Sequence, residues 1–157
     1  MRLLGRRGLP RFVFEFIDGG AEDEVTLRRN REDFERLELL PRVLVDVSRP
    51  ELATELLGRP IAAPFVVAPM GSCVLAWPGA DLAIARAATG LGLPYTLSTM
   101  ATTALEQLAR EVSGRLWFQL YVLRDREFTL KLVERARAAA SGAVPDLAGL
   151  AMERSER

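Results

Sequence analysis

The sequence contains no histidine. A mechanism that needs an imidazole base cannot be run by these 157 residues alone, because His is the side chain whose unperturbed pKa lies near neutrality. Lysine is nearly absent too: Lys131 stands against twenty arginines. A single cysteine, Cys73, excludes an internal disulfide and fits a reducing compartment. No neighbouring residue type marks it as an activated thiol. The 21 basic and 21 acidic residues cancel, which excludes the basic excess of a nucleic-acid binder. No apolar run approaches the ~20 residues a membrane-spanning helix needs. The opening MRLLGRRGLPRFVFEF is basic and then apolar, but Arg11 and Glu15 interrupt it and no small-residue cleavage site follows, so a signal peptide is not expected. These features point to the cytoplasm. What remains, 49% hydrophobic and 27% charged, is the composition of a globular domain with a core.

Residues 9–36 read as short helices, broken by Gly19 and Gly20 in DGGAEDE; Glu22, Asp23 and Glu24 suit the positive end of the helix that follows. LLPRVLVDVS (39–48) reads as extended, and ATELLGRPIAAP (53–64) as two short strands turning at Gly58. From residue 65 a rhythm sets in. FVVAP (65–69), PYTLST (94–99) and RLWFQLYV (115–122) read as strands. GADLAIARAATGLG (79–92), TALEQLAREV (103–112) and DREFTLKLVERARAAA (125–140) read as helices, with Gly90 or Gly92 stopping the first and Asp125 capping the third. Thr103 and Glu106 have the spacing of a capping box. Three strand–helix units in a row predict parallel strands with crossover helices. They fit either a small doubly wound sheet or the first part of a (β/α)₈ barrel, which as a whole takes ~250 residues. In 141–157, Pro145, Asp146 and Gly149 break the rhythm, and no fourth strand of normal length is expected there.

Ligands of parallel α/β folds sit at the carboxyl ends of the strands. The three ends carry Pro69, Met70 and Gly71, then Ser98 and Thr99, then Gln119 and Tyr121. These are neutral hydrogen-bonding groups, neither metal ligands nor a nucleophile with its base. They suit a planar, polar-edged heterocycle. Taken singly, Ser98, Thr99 and Tyr121 are also ordinary strand residues, and Met70 and Met100 ordinary packing. Gln119 is the informative one. Between Phe118 and Leu120, its amide costs about 1–3 kcal/mol to bury unless something takes its hydrogen bonds.

LPRFVFEFIDGGAEDEVTLRRNREDFERL, PRVLVDVS, LLGRPIAAPFVVAPMG, WPGADLAIARAATGLGLPYTLSTMAT and GRLWFQLYVLRDR together resemble the FMN-dependent 2-hydroxy acid dehydrogenase/oxidase family, closest to its mandelate/L-lactate dehydrogenase branch. The resemblance covers residues 9–140. It implies the N-terminal part of a (β/α)₈ barrel: helices and hairpin over 1–64, three βα units over 65–140 and a divergent tail over 141–157. It implies FMN as cofactor, with the backbone of Pro69, Met70 and Gly71 along the flavin, Ser98 and Gln119 contacting it, and Tyr121 touching flavin and substrate. The implied reaction takes a small L-2-hydroxy acid to its 2-oxo acid.

The departures from the family pattern matter equally. Phe16 stands where the family usually has a substrate-binding Tyr, and Met70 where Thr is frequent. The fourth strand's Thr and Asp, the flavin Lys, the His base and the carboxylate-binding Arg of the later barrel have no counterpart here. No catalytic base is therefore assigned to this chain, and a truncated, frameshifted or split gene is expected. A missing downstream half is an implied partner, as is a second copy once the barrel is complete, and the complete enzyme would sit in the cytoplasm or at the inner-membrane surface. The alternative is a non-catalytic partial barrel or an interaction module without turnover.

Overall fold

The computed structural model describes residues 2–143 and 150–154. They form two compact units, Met1–Pro50 and Glu51–Arg157. The first is helical: α1 (Arg2–Gly8), α2 (Arg11–Asp18) and α3 (Val25–Glu35). Pro10 holds the α1–α2 junction in an extended conformation (φ −54°, ψ 143°). The two helices are tied by an Arg2–Asp18 ion pair of 2.6 Å, and the Phe14 ring of α2 lies beside Gly5 of α1. The glycine pair ends α2 as expected, with the Gly20 N–H donating to Glu24 Oε1. Segment 39–48 joins no ladder, and Leu39, Leu40, Val43, Leu44 and Val47 on it are exposed.

The second unit opens with the expected hairpin. Strands β1 (Thr54–Leu56) and β2 (Arg59–Ile61) pair antiparallel around Leu57 and Gly58, which both have positive φ. Then come α4 (Ala80–Gly90), β3 (Tyr95–Leu97), α5 (Leu105–Glu111), β4 (Leu116–Val122) and α6 (Arg126–Ala143). Strand β3 pairs parallel with β4, Leu97 opposite Phe118. The strand expected at FVVAP shrinks to one parallel bridge, Val67 with Tyr95. Prolines at 64 and 69 flank it and remove the donors a longer ladder would need.

The tail corrects the sequence reading. Strand β5 (Leu150–Arg154) does form, and it pairs parallel along β4 with Gln119 opposite Ala151. Pairing with a strand thirty residues away is not written in the local pattern of 141–157, which Pro145 and Gly149 interrupt and which ends in charged residues. Among the described residues the result is a parallel sheet β3-β4-β5 extended by the Val67 bridge, open rather than closed into a barrel.

The core lies between this sheet and its helices. Leu97, Leu116, Phe118 and Leu120 on the strands meet Leu105, Leu108 and Val112 around α5, Ala85 and Ala88 on α4, and Ala136 on α6. Strand β4 is buried on both faces, which is why its sequence reads as a nearly continuous apolar run. Helix α4 stops as its glycines suggest. Gly92, at φ +71°, donates its N–H to Thr89 O, and the Leu93 N–H reaches back to Ala88 O, a double closure of the last turn. Helix α6 starts on Asp125, whose Oδ1 accepts the Phe128 N–H at 3.0 Å.

The capping box does not form. Helix α5 begins one residue beyond Ala104, with no side-chain cap. Glu106 is taken by the Arg135 guanidinium in a two-point pair of 2.7 and 3.0 Å, which holds its carboxyl below the usual range. The Thr103 N–H donates instead to Asp81.

Gly114, in the α5–β4 loop, tests this packing. It sits at φ +127°, and a Cβ there would lie 2.6 Å from the Thr89 Cβ. Gly114→Ala should cost about 2–4 kcal/mol, from backbone strain and overpacking together. Urea unfolding of the two chains measures this, and a loss under about 0.5 kcal/mol, the range of neutral surface changes, would contradict the placement of this loop.

Candidate active site

The backbone ladder between β3 and β4 ends at Leu97 and Phe118, and beyond it side chains take over. The Thr99 hydroxyl donates to the Gln119 carbonyl and accepts the Tyr121 N–H at 3.0 Å. The Gln119 amide is bound on its oxygen side: Oε1 accepts the Ser98 hydroxyl at 3.1 Å and the Thr99 N–H at 3.2 Å. A backbone N–H can only donate, so this contact fixes which end of the amide is oxygen. Gln119 Nε2 is left buried, without a hydrogen-bond partner among the described residues. Ser98 also accepts the Met100 N–H at 3.1 Å, so Ser98, Thr99 and Gln119 form one network.

The loop after Val67 is stitched to this network. The Ser72 N–H donates to the Met100 carbonyl at 3.0 Å. Gly71 lies against Met100 so closely that a Cβ would fall 2.9 Å from the Met100 Cβ, and 3.8 Å from Ser98 Oγ. Pro69 and Met70 are exposed beside it. Cys73 donates weakly to the Met70 carbonyl at 3.6 Å, and burial, then Asp81, push its thiol pKa up. The expectation of an unactivated thiol fits that direction.

The residue that sequence reasoning missed is Asp81. It is 1% exposed in the first turn of α4 and accepts the Tyr95 hydroxyl at 3.2 Å and the Thr103 N–H at 3.3 Å. One carboxylate thereby joins α4, β3 and the loop carrying Ser98 to Met100. Burial, and then Asp81, raise the Tyr95 phenol pKa, so it stays protonated and donates. The available signal was a single acid at the second position of a helix whose other positions, apart from Arg86 and Thr89, are Gly or apolar.

Of the residues singled out from sequence, the structure brings together Gly71, Ser98 and Gln119 and ties the Tyr121 backbone to them through Thr99. Phe16 lies on α2 in the first unit, exposed, and its role stays a sequence expectation. Among the described residues no three His, Cys, Asp or Glu side chains gather as for a metal ion, and no helix is long and apolar enough to cross a membrane.

The (S)-mandelate dehydrogenase of Pseudomonas putida is 44% identical over 135 residues, which are 86% of this chain and 34% of that protein. The L-lactate dehydrogenase of Chromohalobacter salexigens is 46% identical over 138 residues, 88% of this chain and 35% of that one. A solved structure described as monotopic membrane protein (S)-mandelate dehydrogenase superposes with a TM-score of 0.83 at 43% identity, covering 88% of this chain and 37% of its own. The chain thus spans about a third of the length of the curated relatives it matches. The family profile described as FMN-dependent dehydrogenase matches residues 5–145. With a parallel sheet, a polar network at its strand ends and that match over most of its length, the chain belongs to the FMN-dependent dehydrogenase family, as the N-terminal part of its (β/α)₈ barrel.

Proposed function

We propose that this chain supplies the first three strand ends of an FMN site in an enzyme that oxidises an L-2-hydroxy acid to its 2-oxo acid. The observation that carries this reading is the Gln119 amide, locked on its oxygen side and left with a buried, unpartnered NH₂. A donor desolvated without a partner costs about 1–3 kcal/mol, and a ring acceptor removes that cost. FMN fits: its ring edge carries such acceptors, and Gln119, Ser98 and Thr99 are neutral. When bound, FMN supplies a two-electron acceptor. Gln119 would hold the ring edge, Ser98 would orient Gln119, and the Pro69–Gly71 backbone would bound the ring, Gly71 leaving it room. Tyr121 and Phe16 would face the substrate.

The rest of the reaction needs a base and a carboxylate clamp, which we assign to the later strands of a family barrel, acting as partner to this chain. A second copy as partner and attachment at the inner-membrane surface belong to the same proposal; a relative described as a monotopic membrane protein supports the last. A second reading, a partial barrel without turnover, is favoured by the absence of any histidine.

Gln119→Glu keeps an acceptor for Ser98 and Thr99 but removes the NH₂ donor. FMN affinity should fall about tenfold or more, since a lost hydrogen bond of about 1.4 kcal/mol is one decade. Fluorescence titration with FMN measures it, and dissociation constants equal within twofold would overturn the assignment of Gln119.

A further inference from the structure

Among the described residues, Thr99 is the one that holds Gln119 at both its backbone and its side-chain amide. Its hydroxyl donates to the Gln119 carbonyl, and its own N–H holds Gln119 Oε1 at 3.2 Å. The same hydroxyl accepts the Tyr121 N–H at 3.0 Å. Here β3 has stopped pairing through its backbone, since the last ladder pair is Leu97 with Phe118. A single hydroxyl therefore stands in for a backbone donor and acceptor at the strand end. It satisfies the Gln119 carbonyl and the Tyr121 N–H while β3 turns away into the loop that carries Met100. We infer that Thr99 is a positioning residue: its hydroxyl sets the place from which Gln119 presents its free NH₂, and the backbone of Tyr121 with it.

The reason lies in donor and acceptor counts. A hydroxyl both donates and accepts, so it can bridge a carbonyl and an N–H on one strand. Valine has the same branched shape and can do neither. Without the bridge the carbonyl and the N–H lose their partner and the strand end shifts to find others. The Gln119 amide rides on that strand, so its NH₂ moves with it. Serine keeps the hydroxyl and loses only the methyl group. The inference rests on the flavin reading of Gln119 for its function, but not for its geometry.

The chain suits a direct test. Asn30, Gln107 and Gln119 are its only side-chain amides, so three NH₂ pairs appear in a ¹H–¹⁵N spectrum and Gln119→Glu identifies one of them. In Thr99→Val the Gln119 pair should shift and the Tyr121 amide should exchange faster. FMN affinity should fall about tenfold, the effect of losing one hydrogen bond's alignment. Thr99→Ser should restore all three. An unmoved Gln119 pair in Thr99→Val, or a Ser variant that behaves like the Val variant, would overturn the inference. If Thr99→Val does not fold, Thr99→Ala against Thr99→Ser carries the same comparison, the hydroxyl being the difference. If the unsubstituted chain shows no FMN binding while the amide signals respond as stated, the flavin reading fails and the positioning role of Thr99 stands.

Discussion

Mixed anaerobically with FMN and mandelate, L-lactate or glycolate, the 157-residue chain should leave the flavin oxidised. The expected loss is large, because a missing general base alone costs about 10²–10⁴-fold. No histidine exists to serve. The residues bonded to Gln119 through its amide oxygen and carbonyl are Ser98 and Thr99, neither of which takes a proton near neutrality. Asp81, the nearby acid, is buried and already accepts from Tyr95 and Thr103. Burial raises the Cys73 thiol pKa, so near neutrality it keeps its proton and cannot accept one. Lys131 is committed on α6 to Glu127 at 2.7 Å. FMN affinity should also lie far below that of a whole barrel, because the resemblance assigns the phosphate to late strands that these residues do not supply. Bleaching of the flavin by any of the three acids above the free-FMN control would sink this argument, and so would a purified chain that is yellow with stoichiometric FMN.

The second large effect is expected at Phe16. In a chimera of residues 1–140 with the later barrel of Pseudomonas putida (S)-mandelate dehydrogenase, Phe16→Tyr should raise kcat/KM by about 10–100-fold. The basis is one hydrogen bond to a charged carboxylate, worth about 1.5–3 kcal/mol, at 1.4 kcal/mol per decade. Phe keeps the shape of Tyr but not its hydroxyl. Phe16 is 73% exposed on α2, so the added hydroxyl meets no packing penalty within that helix. The competing view is that residue 16 only packs, and then the hydroxyl changes nothing or mildly destabilises. Values of kcat/KM equal within twofold would remove residue 16 from the substrate site.

The sequence by itself determined the elements whose signals are short-range. The alternation in RLWFQLYV, the glycines that stop α4, the Asp125 cap and the turn at Leu57–Gly58 are each written within a few residues, and each appears where expected. Gln119 was legible for the same reason: an amide in an apolar strand is locally incongruous. Tertiary structure decided what depends on partners distant in sequence. Glu106 left its expected cap because Arg135, 29 residues on, offered a two-point charged contact. Asp81 gained a role only when Tyr95 and Thr103 came within reach. Strand β5 formed against local preference because β4 offered an unpaired edge, whereas the shortening of FVVAP to one bridge follows from its own flanking prolines and was local after all. Thr99 shows the division within one residue. Its place at a strand end is local, but the use of its hydroxyl depends on where β3 stops pairing, and only the packed sheet decides that.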